Sequence, residues 1–87
     1  VRLDDAGDLG RYVRERRMAA DLTQVDLARQ AGVSRRWLLE LEGGKATAEL
    51  GLIFKVIAAL GLRLEVRPAS SDDIDLDAYL DSLGGPA

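Results

Sequence analysis

Apolar and polar positions recur along this chain with two different periods, and the change of period divides it. From Leu9 to Ala20, apolar Leu9, Val13 and Met18 recur among Arg11, Arg14, Arg16 and Arg17. That spacing predicts an amphipathic helix with a basic outer face, Tyr12 fitting either side. The preceding "VRLDDAGD" has no useful periodicity and reads as a loose lead-in. Asp21 breaks the run. Thr23, with Asp26 three residues on, is a capping-box-like pair that opens a second helix, "QVDLARQA". This helix buries Val25 or Leu27 together with Ala28 and Ala31. Gly32 supplies a cheap left-handed turn, and Ser34 is a good N-cap for a third helix that Gly43-Gly44 ends. A fourth helix is expected from about Thr47 to Leu60, with Leu50, Ile53, Phe54, Ile57, Ala58 and Leu60 as its buried stripe.

Then the period falls to two. Leu62, Leu64 and Val66 alternate with Arg63, Glu65 and Arg67, the pattern of a half-buried strand, and Pro68 stops it. No second strand is readable, and a lone strand leaves its backbone donors and acceptors unpaired. Its simplest partner is the same strand of a second copy, which predicts a two-fold homodimer joined by an antiparallel ribbon. The plainer alternative packs Leu62, Leu64 and Val66 on the chain's own fourth helix. The expected fold is therefore mainly α: a four-helix domain over residues 1–67, closed by a β-strand at 62–67 that pairs in a dimer, with a flexible tail at 68–87.

Charge sharpens that division. The 87 residues carry a net −3, but residues 1–67 hold all 12 Lys and Arg against 10 Asp and Glu, a net of +2. Residues 68–87 hold Asp72, Asp73, Asp75, Asp77 and Asp81 with no base. A mildly basic head and an acidic tail point to two separate jobs. In the tail, Ile74, Leu76, Tyr79, Leu80 and Leu83 would line one side of a short helix begun at Ser70 or Ser71, a candidate partner-binding face. Plain disorder, or folding back onto the basic face, are the competing uses.

Composition excludes more than it selects. With 47% hydrophobic and 31% charged residues, the chain suits one small domain. It has no cysteine and no histidine, so thiol chemistry, the usual general base and the commonest metal ligand are missing. With no convergent carboxylate pair either, no enzyme, metal or cofactor is expected. No apolar run approaches the ~18 residues of a membrane span. No export leader is readable, which makes the cytoplasm the default expectation. The start at Val1 is that of a trimmed or partial product.

Two short helices joined by a tight Gly-containing turn are the signature of a helix-turn-helix, here residues 24–31 and 34–42. In that motif the second helix lies in the major groove and the first crosses the backbone. At 100° per residue, Leu38 and Leu41 point together into the core. Arg35, Arg36, Leu39 and Glu40 then point away, with Trp37 at the boundary. Trp37 either packs on the first motif helix or lies along the groove wall against a sugar or thymine methyl. Glu40 either reads cytosine or pairs with Arg36.

The stretch "LGRYVRERRMAADLTQVDLARQAGVSRRWLLELEGGK" resembles the Xre/Cro phage-repressor family. The matching features are Leu9-Gly10, Val13-Arg14, Arg17, Leu22-Thr23-Gln24, Leu27-Ala28, Gly32-Val33-Ser34, and Glu42 followed by Gly44-Lys45; the likeness covers residues 9–60. A terminal strand followed by a tail is similar to the HipB-type antitoxins, which repress their own operon and bind a toxin kinase. The resemblance implies a transcriptional repressor binding double-stranded DNA with an inverted-repeat operator. By the same likeness, Thr23 and Gln24 would touch phosphates, and Ser34, Arg35, Arg36 and Glu40 would reach base edges or the nearby backbone. Gly43, Lys45 and Arg14 would hold phosphates, while Arg17 and Glu42 would bridge the first and third helices. The chain departs from the family where Trp37 and Leu39 replace small polar residues and Asp21 replaces a turn glycine. Two rival functions remain: an interaction module that inhibits a partner enzyme without DNA, and a stand-alone phage-type repressor.

Overall fold

Helix ends fix this fold as much as helix faces do. The computed structural model describes residues 1–69. The tail positions Ile74, Leu76, Tyr79, Leu80 and Leu83 lie outside the described residues. Among the described residues four helices follow one another: α1 (Ala6–Ala19), α2 (Gln24–Ala31), α3 (Arg35–Glu42) and α4 (Leu50–Ala59). The Thr23 hydroxyl accepts from the Asp26 N–H at 3.0 Å, and the Asp26 carboxylate accepts from the Thr23 N–H at 3.1 Å, the reciprocal box expected at α2. Ser34 caps α3 by accepting from the Trp37 N–H at 3.0 Å.

The lead-in turns out to be another helix start. The Asp5 carboxylate accepts from the Asp8 N–H at 2.7 Å, and that of Asp8 accepts from the Asp4 N–H at 2.9 Å. This D-x-x-D pair starts α1 three residues before the first apolar repeat at Leu9. It is legible only to a search for caps, since no hydrophobic period marks it. The Asp4 N–H, above all, holds the Asp8 carboxyl below its ordinary value.

All four helices end alike. Asp21, Gly32, Gly44 and Gly61 take φ of 59°, 74°, 89° and 71°. The next residue's N–H then reaches back five positions: Leu22 to Arg17 O, Val33 to Ala28 O, Lys45 to Glu40 O, and Leu62 to Ile57 O, at 3.0–3.1 Å. Each satisfies a carbonyl that the helix end leaves open. Asp21 is the one non-glycine at positive φ among the described residues, and Asp is among the few side chains that visit this region routinely.

Between these ends, Val13, Leu27, Ala28, Ala31, Leu38, Leu41 and Val56 form one buried cluster. Leu27, not Val25, is the buried member of α2; Val25 is 46% exposed. Burying a leucine such as Leu27 or Leu38 completely stabilises the fold by roughly 1.5–3 kcal/mol. α1 packs against α3, and α2 packs against both α3 and α4. The α1–α3 contact is close enough to require glycine: a Cβ at Gly10 would stand 2.3 Å from Leu41 O and 2.9 Å from Glu42 O.

Two further expectations change. Met18 is 59% exposed and outside the core. α4 begins at Leu50, not Thr47, with no side-chain cap, and turns a different face inward. Val56 and Ile57 are buried, with Ile53 and Leu60 against the cluster, whereas Leu50, Phe54 and Ala58 are exposed. "LGLIFKVIAA" has a single charge, so its pattern hardly prefers one face; packing on α2 decides. Within the single chain no strand forms among the described residues, and 62–69 carry no regular structure. A strand needs a ladder, and the other described residues offer 62–67 nothing to pair with. Leu62 is half-buried, while Leu64 and Val66 are 44% and 90% exposed. A groove of about 890 Å³ separates this arm from the lead-in and from Tyr12 of α1.

Candidate nucleic-acid interface

The turn between α2 and α3 rests on Gly32, and the Ser34 cap sets where α3 begins. With Leu38 and Leu41 sealed in the core, the opposite flank of α3 is left to solvent. Arg35, Arg36 and Leu39 are exposed there, Leu39 at 51%. Arg35, and Arg14 on α1, form no ion pair with any described residue and present unencumbered guanidinium groups. Trp37 is half-buried and packs against the core cluster, so boundary packing is part of its role. One side of the indole stays wet, a division that suits Trp.

Beneath that surface lies a rigid joint. Arg17 Nε donates to Glu42 Oε2 at 2.7 Å and Arg17 Nη2 donates to Oε1 at 3.0 Å, with the two side chains 11% and 4% exposed. Arg17 Nη1 also donates to Leu22 O at 2.9 Å. The hydrogen bond to Glu42, above all, raises the Arg17 pKa beyond its ordinary value. Gln24 Nε2 reaches the same Glu42 carboxylate at 3.3 Å. The Arg17–Glu42 pair therefore ties α1, the α1–α2 turn and the first residue of α2 to the end of α3.

Gln24 is thereby held at the start of α2 with one amide hydrogen engaged and a second available. Thr23 and Ser34 each spend an oxygen lone pair on a cap, which leaves their hydroxyl hydrogens able to donate outward. Gly43 differs: its N–H donates to Leu39 O at 3.0 Å, so the amide is already engaged. In that loop the Lys45 ammonium is the group fitted to a phosphate.

Glu40 is not solitary. Its Oε1 lies 3.5 Å from Arg36 Nε and its Oε2 lies 3.0 Å from Lys45 Nζ. The pairing with Arg36 was one of the two sequence expectations; the pairing with Lys45 was missed. At five residues it falls outside the i,i+4 rule, and it forms because the left-handed Gly44 turns the chain back over the helix end. These cations hold the Glu40 carboxyl below its ordinary value, Lys45 foremost. Among the described residues no helix is long and apolar enough to cross a membrane, and no cluster of acidic side chains is arranged to hold a metal ion.

Comparison with known proteins bears on the fold that carries these residues. Residues 8–69 match the family described as "Helix-turn-helix domain". An uncharacterized HTH-type transcriptional regulator of Sinorhizobium fredii is 37% identical over 65 residues, which span 75% of this chain and 86% of that protein. Another, from Methanocaldococcus jannaschii, is 42% identical over 45 residues, 52% of this chain and 68% of that one. Among solved structures, a HipB–O4 20mer complex superposes with a TM-score of 0.75 at 20% identity, over 80% of this chain and 99% of that chain.

Proposed function

The chain belongs to the helix-turn-helix domain family, and from that premise we propose that it is a dimeric, sequence-specific repressor that reads an inverted-repeat operator with α3. The observation that carries this reading is the exposed α3 flank, where Arg35 and Arg36 project from a helix whose opposite side is locked into the core. Arg36 is suited to pair bidentately with guanine, and Leu39 and the wet edge of Trp37 to meet sugar or thymine methyl. Thr23, Gln24, Lys45 and Arg14 hold phosphates and fix register without reading sequence; Gly43 lets the backbone approach closely.

Residues 62–67 join two copies. Their alternating pattern, the absence of a ladder among the described residues and the exposure of Leu64 and Val66 all favour an antiparallel ribbon over packing on α4. Two recognition helices so joined would sit about 34 Å apart, one turn of DNA. The biological setting we propose is an antitoxin that represses its own operon and engages a toxin kinase through residues 72–83. The HipB likeness supports that setting through the fold and through its 20mer complex.

The test is fluorescence anisotropy with duplex from just upstream of the protein's own gene against a scrambled duplex, at two salt concentrations. Wild type should prefer its own DNA, and Arg36→Ala should lose that preference. Equal binding to both duplexes by wild type would remove autorepression. Deleting residues 72–83 should spare DNA binding and abolish inhibition of the toxin; retained inhibition would take the partner site away from these residues, and no inhibition by wild type would set the antitoxin role aside.

A further inference from the structure

Each oxygen of the Glu40 carboxylate faces a different cation, and both cations belong to the DNA-facing surface. Arg36 lies one turn earlier on α3, with only its Nε directed at Glu40, 3.5 Å away. Lys45 arrives from beyond the helix and is held twice, by its N–H to Glu40 O at 3.1 Å and by its ammonium to Glu40 Oε2 at 3.0 Å. The carboxylate is 35% exposed, against 88% for Arg36 and 48% for Lys45. The acid thus sits lower than the bases that flank it.

We propose that Glu40 is a specificity-determining residue: it restrains Arg36 and Lys45 from binding arbitrary phosphate backbone while aiming Arg36 for a base. The inference rests on the DNA-binding reading above. Two opposite effects follow from one geometry. Non-specific affinity comes almost wholly from cations neutralising phosphates. A carboxylate among Arg35, Arg36 and Lys45 removes one of three positive charges from a face whose whole domain, residues 1–67, carries only +2. It also repels the phosphates directly, so every non-cognate duplex is bound less well. A cognate site behaves differently. Accepting from Nε leaves both terminal nitrogens of Arg36 free for the bidentate contact with guanine. The Arg36–Glu40 pair therefore persists in the cognate complex and reduces the ordering needed there.

Glu40→Gln separates the two effects, because Gln keeps an acceptor for Arg36 Nε but carries no charge. It is compared with wild type by anisotropy on scrambled and own-upstream duplexes across a salt series, and by the salt needed for elution from heparin. Unchanged circular dichroism confirms the fold of each variant. Glu40→Gln should bind scrambled duplex about fivefold more tightly, with the salt slope steeper by about 0.9, one additional neutralised phosphate. It should leave heparin at higher salt, and the preference for own DNA should fall about fivefold. Glu40→Ala, which also loses the acceptor, should weaken own-DNA binding as well. Unchanged scrambled-duplex affinity and heparin elution overturn the proposal. So does a loss confined to own DNA in Glu40→Gln, which would mean that Glu40 itself reads a base. If wild type shows no sequence preference, the repressor reading fails; tighter heparin and scrambled-duplex binding by Glu40→Gln would then still support the restraint on polyanion binding.

Discussion

Two glutamates stand two residues apart on α3, and they live in different worlds. Glu42 faces inward, 4% exposed, meeting Arg17 through two hydrogen bonds and Gln24 through a third. Glu40 faces outward and meets Arg36 and Lys45. Each carboxylate has a guanidinium and one further nitrogen donor. What differs is the solvent. Around Glu42 the effective dielectric is low, and losing a partner strands a charge with no water to replace it. Around Glu40 water and salt stand in for either cation, so the pair contributes little to folding. A carboxylate can thus serve the fold or the ligand from one short helix, and about 200° of rotation selects which.

The contrast breaks most visibly under unfolding. Glu42→Ala should destabilise the protein by about 3–5 kcal/mol, read from urea denaturation, because Arg17 remains largely buried and unpaired. The double replacement Arg17→Met with Glu42→Leu should cost much less, since no charge is left behind. Equal costs for single and double variants would show that the joint acts by packing and not by charge. On the outward side, Arg36→Ala should leave the urea midpoint unchanged and weaken own-DNA binding by about 1–3 kcal/mol, the worth of one bidentate base contact. A comparable loss on scrambled duplex would reassign Arg36 to the phosphates.

The same two sides explain what the sequence made legible. Glu42 and Arg17 were identified through family likeness, and the geometry supplies the reason: their spacing of 25 residues leaves no local trace. α2 and α3 were legible because Thr23, Asp26, Gly32 and Ser34 mark their ends and both helices are strongly two-faced. α4 was legible as a helix but not in its orientation, since an almost wholly apolar helix has no polar side to point outward. Phe54 and Val56 exchanged places for that reason. The start of α1 was hidden because Asp4, Asp5 and Asp8 look like a solvated acidic lead-in until their backbone bonds are counted. Gly10 carried the opposite difficulty: its close approach to Leu41 and Glu42 exists only once α1 and α3 are packed.

Thr23 stands at the border of the two regions, since one hydroxyl caps α2 and faces the proposed phosphate path. Thr23→Ala should destabilise by about 1 kcal/mol through loss of the cap. It should also weaken own and scrambled duplexes by similar factors, as a contact that does not read sequence must. Thr23→Ser keeps the hydroxyl and should restore both. Restoration of stability alone would assign Thr23 to the fold side of the comparison.

The smallest effect is the most direct measure of the outer pair. The Glu40 carboxyl lies below its ordinary value of 4.5, chiefly through the Lys45 hydrogen bond and charge, with Arg36 second. A carboxyl lowered on folding contributes stability that is complete above its unfolded value and is lost as pH falls through the folded one. Well above pH 4.5, then, Glu40 should add no slope to the stability curve; its share falls as pH drops through 4.5 and is gone only below the folded value. Following the Glu40 carboxyl carbon by NMR during titration resolves this without unfolding the protein. Lys45→Ala should move the midpoint upward further than Arg36→Ala, and added salt should shrink both shifts because the site is wet. If Arg36→Ala has the larger effect, Glu40 belongs to its own helix before it belongs to the loop. The restraint on Lys45 would then be the weaker half of the clamp.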